Sequence, residues 1–71
     1  MAIELTKEEK LGIINSHQRS AVYNKYNYEM SLLQESSKSN PDEATLAKLN
    51  SDIAEATKQI DALQAEIDKL N

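Results

Sequence analysis

The sequence predicts an all-α fold: an antiparallel two-helix hairpin of the coiled-coil type that self-associates into a four-helix bundle. Three observations lead there. Leu46, Leu49, Ile53, Ala56, Ile60, Leu63, Ile67 and Leu70 recur at spacings of 3-4-3-4-3-4-3, and a 3.5-residue repeat keeps facing a partner helix only when the two supercoil. Two helix-start signals are separated by a single Ser-rich break. The composition, with one Gly, one Pro and no Cys, Trp or Phe in 71 residues, is that of a helical hairpin or coiled coil.

The first helix is expected over about residues 7–36. Thr6-Lys7-Glu8-Glu9 fits a capping box, in which the Thr hydroxyl takes the N3 amide and Glu9 reaches back to the cap. Gly12 is the only weak point before Ser36, costing about 1 kcal/mol relative to Ala. The helix fades in Ser36-Ser37-Lys38-Ser39, giving a turn over about 37–40. Asn40-Pro41-Asp42-Glu43 restarts the chain, with Asn40 as N-cap and Pro41 at N1 where a missing N–H costs nothing, so the second helix is expected over about 41–70. A turn this short makes the helices antiparallel neighbours, and residues 1–71 form a single unit.

Centring the turn near Ser39–Asn40 sets Leu33 against Leu46, Tyr26 against Ile53, Val22 beside Ala56, Ile14 beside Leu63 or Gln64, and Leu11 beside Ile67. The one small residue of the second-helix stripe then falls where Tyr23 and Tyr26 bracket Val22. Helix 1 carries no second clean heptad in this reading: its apolar residues Leu11, Ile14, Ala21, Val22, Tyr26, Tyr28, Leu32 and Leu33 spread over about 160° of arc. A face so broad meets more than one helix. Two hairpins give four helices, the smallest assembly that covers it.

Length points the same way. A chain of this size rarely gains more than roughly 3–5 kcal/mol from its own core without a staple. Without Cys there are no disulfides, and one His makes a zinc site within one chain improbable, so oligomerisation is the staple expected. No apolar run is long enough for a transmembrane helix. The start Met1-Ala2-Ile3-Glu4-Leu5 lacks a basic segment followed by a long apolar stretch, and a cytoplasmic protein is the expectation.

The net charge of −4 is carried by the second half. Residues 1–40 hold five basic and five acidic side chains, whereas residues 41–71 hold three basic and seven acidic ones. Such a balance works against binding phosphate backbones.

Little chemistry can be assembled from these residues. His17 has Ile13, Ile14, Ser20 and Ala21 at i±3 and i±4, with no acid or second ligand. No nucleophile–base pair or Gly-rich phosphate loop is present, and two long helices offer no cleft. The expectation is a protein that is not an enzyme and takes no cofactor or metal. Gln18, Lys25 and Glu29 lie near the centre of the helix 1 arc, where they either set register and partner number or form a solvated edge.

Tyr23-Asn24-Lys25-Tyr26-Asn27-Tyr28 is the most distinctive segment, holding every aromatic of the chain. Tyr26 is read as seam. Arg19, Tyr23, Asn24 and Asn27 are the candidate partner surface, since Tyr with Asn is a common protein-contact combination. Aromatics interleaved with bases can also stack single-stranded nucleic acid, but one Arg and one or two Lys are few for phosphate-driven affinity.

The Leu5-Thr6-Lys7-Glu8-Glu9-Lys10 start, the Tyr23-Asn24-Lys25-Tyr26-Asn27 segment and the Ala- and Gln-rich tail resemble small uncharacterised helical proteins of tailed phages of marine cyanobacteria. The resemblance covers most of the chain and implies a viral origin; it carries over no functional residue. The functional expectation is a non-catalytic, self-associating structural, scaffold or adaptor protein, with itself as partner in a dimer or tetramer. The alternatives are a regulator that binds a host or cellular protein through helix 1 and, third, a nucleic-acid-binding module.

Overall fold

The computed structural model describes residues 3–71; Met1 and Ala2 of the expected 1–71 unit lie outside the described residues. Two helices, α1 (Lys7–Ser36) and α2 (Glu43–Leu70), pack along their lengths as a hairpin. The result is a rod of 61 × 21 × 14 Å.

Both starts are built by side chains that take up free amides. At α1 the Thr6 hydroxyl accepts from the Glu9 N–H at 3.1 Å, and the Glu9 carboxylate accepts from the Thr6 N–H at 2.9 Å. The α2 start differs from expectation by two residues: the N-cap is Asp42, not Asn40, and Pro41 precedes the helix. Asp42 wins because its carboxylate accepts from both the Thr45 N–H (3.1 Å) and the Thr45 hydroxyl (2.6 Å). Asn and Asp cap about equally well as side chains, but a carboxylate at the positive end of the helix adds a favourable charge that an amide two residues earlier lacks.

The turn is closed from α1. Glu35 is about 9% exposed and accepts from the Asp42 N–H at 3.0 Å through one oxygen and from the Lys38 ammonium at 2.9 Å through the other. The Ser37 hydroxyl donates back to the Gln34 carbonyl, a group that a helix end leaves open, and the Ser36 hydroxyl adds a second donor to the Leu33 carbonyl, which already accepts from the Ser37 N–H. Among the described residues no backbone adopts a positive φ. These side-chain bonds therefore take the place of a glycine cap.

The packing face of α1 is not the one expected. Leu11, Ile14, Gln18, Ala21, Lys25, Tyr28, Leu32 and Glu35 are buried or half-buried, and their spacing is 3-4-3-4-3-4-3, the same heptad as in α2. Val22, Tyr26 and Leu33, expected in the seam, are 49%, 61% and 59% exposed. The polar members are tolerated because a two-helix seam is only half closed. Lys and Tyr bury their stems and keep their tips wet, and the Gln18 amide donates to the Ile60 carbonyl (3.3 Å) and the Gln64 side chain (3.1 Å). In α2, Leu46, Leu49, Ile53, Ile60, Leu63, Ile67 and Leu70 are half-buried and Ala56 is buried.

Opposed heptads in an antiparallel pair set a positions of one against d positions of the other. Here that pairs Leu11 with Leu70, Ile14 with Ile67, Gln18 with Leu63, Ala21 with Ile60, Lys25 with Ala56, Tyr28 with Ile53, Leu32 with Leu49 and Glu35 with Leu46. The register agrees with the Gln18 bonds on either side of Leu63 and with the grooves that join Ile14 to Glu66 and Leu70 and Tyr28 to Asp52 and Ala56. It is shifted by about two residues from the sequence expectation. In this register the position opposite Ala56 falls to the half-buried Lys25 rather than to the tyrosines beside Val22.

Candidate interaction surface

A pair of helices touching along one seam leaves most of each helix in solvent, so what lies on the outer faces decides what the hairpin can bind. The two differ. Among the described residues the exposed large apolar side chains are Ile3, Leu5, Ile13, Val22, Tyr23, Tyr26 and Leu33; all belong to α1 or the segment leading into it. Every Leu and Ile of α2 is at the seam.

At about 100° per residue, Val22, Tyr26 and Leu33 fall on one line running along α1, roughly a quarter-turn from the seam. Asn15, Arg19 and Glu29 are exposed on the same line. Neither Arg19 nor Glu29 enters an ion pair among the described residues, and Glu29 does not reach Lys25. The outer face of α2 behaves differently, since its Lys48–Asp52, Lys58–Glu55 and Lys69–Glu66 pairs satisfy one another within the helix.

Of the expected partner surface, Arg19, Tyr23 and Asn24 come together with Ser20 around one shallow depression. Asn27 is exposed one turn farther on. Tyr23 is 70% exposed, turned away from the seam. His17 and Ser16 line a second shallow groove with Leu5, Glu9, Gly12 and Ile13; no acid other than Glu9 is near the imidazole there. Among the described residues no three His, Cys, Asp or Glu side chains group as a metal site. No helix of the described residues is long and apolar enough to cross a membrane.

The side chain that sequence reasoning missed is Glu35. The Asp42 N–H, then the Lys38 ammonium, hold its carboxyl below the ordinary glutamate value, against the opposing effect of burial. Asp42 is likewise lowered, first by the Thr45 hydroxyl and then by the Thr45 amide. Both are structural carboxylates of the turn. The available signal was Glu35 continuing the 3-4 repeat of α1 three residues before Lys38.

Comparison with protein-family models, curated proteins and solved structures finds no match to this chain.

Proposed function

We propose that the protein is a non-catalytic helical interaction module that self-associates through the outer face of α1 and serves as a small structural, scaffold or adaptor protein. One observation carries this reading. Among the described residues the hairpin alone buries only two apolar side chains, Ala21 and Ala56, while Val22, Tyr26 and Leu33 form an exposed apolar line on α1. A chain this small needs a staple, and a second hairpin laid on that line supplies it as a four-helix bundle.

The test is assembly itself. Sedimentation or light scattering at micromolar concentration should give a dimer or tetramer, and the melting temperature should rise with concentration because association stabilises the fold. An 8.0 kDa monomer whose melting is independent of concentration would overturn the reading.

The depression formed by Arg19, Ser20, Tyr23 and Asn24 favours a second reading, a regulator that binds another protein there. On that reading Tyr23→Ala weakens capture of the partner and leaves melting nearly unchanged.

A further inference from the structure

The exposed line on α1 has an internal symmetry. Asn15, Arg19, Val22, Tyr26, Glu29 and Leu33 are spaced 4-3-4-3-4, a pattern that reads the same from either end, and all six are exposed. It is a second heptad stripe on a helix whose first stripe is already committed to α2.

We infer that this stripe pairs with the same stripe of a second copy, antiparallel about a two-fold axis passing beside Asn24. The inference rests on the self-association proposed above and specifies its partner, direction and register. An isologous contact of this kind must be self-complementary, and only one arrangement makes it so. In it Val22 meets Tyr26 of the second copy, Arg19 meets Glu29 and Asn15 meets Leu33, each pair occurring twice. The small apolar residue faces the large one at the centre, and opposite charges flank it on both sides.

The alternatives fail on the same residues. A parallel pairing sets Arg19 against Arg19 and Glu29 against Glu29. Sliding the antiparallel pair by one heptad sets Glu29 against Tyr26, or Arg19 against Val22, and leaves the charges without partners. Pairing through α2 would bring together two helices from the acidic half of the sequence, with three basic and seven acidic residues in 41–71, whereas residues 1–40 are balanced. The α1 pairing keeps the acidic helices on the outside. Among the described residues Arg19 and Glu29 make no ion pair, so none of these pairs must be broken to form the two between copies.

Charge reversal and its rescue test this. Arg19 and Glu29 lie ten residues apart, about 15 Å along one helix, too far to interact within a chain. Arg19→Glu and Glu29→Arg should each weaken the dimer by roughly tenfold or more in dissociation constant, as like charges then face each other twice. The double variant R19E/E29R should return to within about threefold of the parent, because the pairs are restored with reversed sign. Circular dichroism at high concentration should show each variant helical. A dimer indifferent to both single changes, or a double variant no tighter than the weaker single, would overturn this register while leaving self-association standing. A parent chain that stays monomeric would remove the underlying reading and this one with it.

Discussion

The two helices carry the same heptad and use it differently. In α2 every Leu and Ile lies on the seam, all three lysines are taken up in i,i+3 and i,i+4 pairs that leave an acidic excess, and no large apolar side chain is left over. In α1 the seam itself includes Gln18, Lys25 and Glu35, while Val22, Tyr26 and Leu33 are turned outward. A helix with a single partner can place all its apolar residues on one stripe. One with two stripes divides them, and the polar residues left in each stripe decide which pairings are allowed. The asymmetry thus separates a helix that makes the hairpin from a helix that also presents it.

The largest expected effect comes from breaking the committed helix. Ile60→Asp places a charge in the middle of the α2 stripe, opposite Ala21 and beside the Gln18 bond to the Ile60 carbonyl. Burying an unpaired carboxylate there should cost several kcal/mol and abolish helical circular dichroism at ambient temperature. A folded Ile60→Asp hairpin would mean that α2 is not committed to this seam.

Next comes the junction between the helices, through pH. Glu35 and Asp42 are both held below their ordinary values of 4.5 and 3.8. Lowered carboxylates bind fewer protons in the folded state than in the unfolded one, so their stabilisation is complete above the unfolded values and is lost as pH falls through the folded ones. The melting temperature should therefore be insensitive to both groups near neutrality and should drop as pH falls below about 4.5. Glu35→Gln keeps an acceptor for the Asp42 N–H but removes one titration. In that variant the acid-induced drop attributable to the turn should begin only in the range of Asp42, below 3.8. An unchanged onset would show that Glu35 does not couple the turn to pH.

How far the sequence could be read follows the same division. The α2 stripe was legible because its apolar pattern and its packing pattern coincide. The α1 face was not, because hydrophobicity alone does not mark it: three of its eight seam residues, Gln18, Lys25 and Glu35, are polar. Gln18, Lys25 and Tyr28 reach it with long side chains whose ends stay wet or bonded, and Glu35 enters it to hold the turn. Ala21, the small residue of closest approach, sits in the 3-4 spacing that runs from Leu11 to Glu35. The apolar residues that broaden the arc, Val22, Tyr26 and Leu33, lie on a separate, exposed line of α1. The capping box at Thr6 was legible down to its two hydrogen bonds. Asn40-Pro41 looked like a helix start but ceded it to Asp42, because the Thr45 hydroxyl that strengthens that cap lies beyond the four residues that suggested the start.

A smaller effect, of opposite sign, should follow from making the α1 seam resemble that of α2. Lys25→Leu replaces a half-buried stem opposite Ala56 with an apolar side chain and should stabilise the hairpin by about 1 kcal/mol, on the scale of one or two buried methylenes. The same change removes a polar residue that restricts register, so the variant should sediment as a broader distribution of oligomers. Destabilisation would indicate that the ammonium of Lys25 makes a contact that the assembly needs.

The smallest effect is expected on the outer face of α2. Ser51 is exposed at an f position of the heptad, directly opposite the seam. If that face meets only solvent, Ser51→Asp adds a charge where water can hydrate it, and stability should change by no more than about 0.5 kcal/mol. Under the proposed self-association, the substitution also asks where a second hairpin sits. A bundle closed through α1 leaves Ser51 exposed, so neither the melting temperature nor the dissociation constant should move. A bundle closed through the backs of the α2 helices would bury two new carboxylates among acids already in excess, and the dimer would dissociate. Equal losses from Ser51→Asp and Ile60→Asp would therefore erase the difference between the seam and the back of α2 and, with it, the assignment of the assembly face to α1.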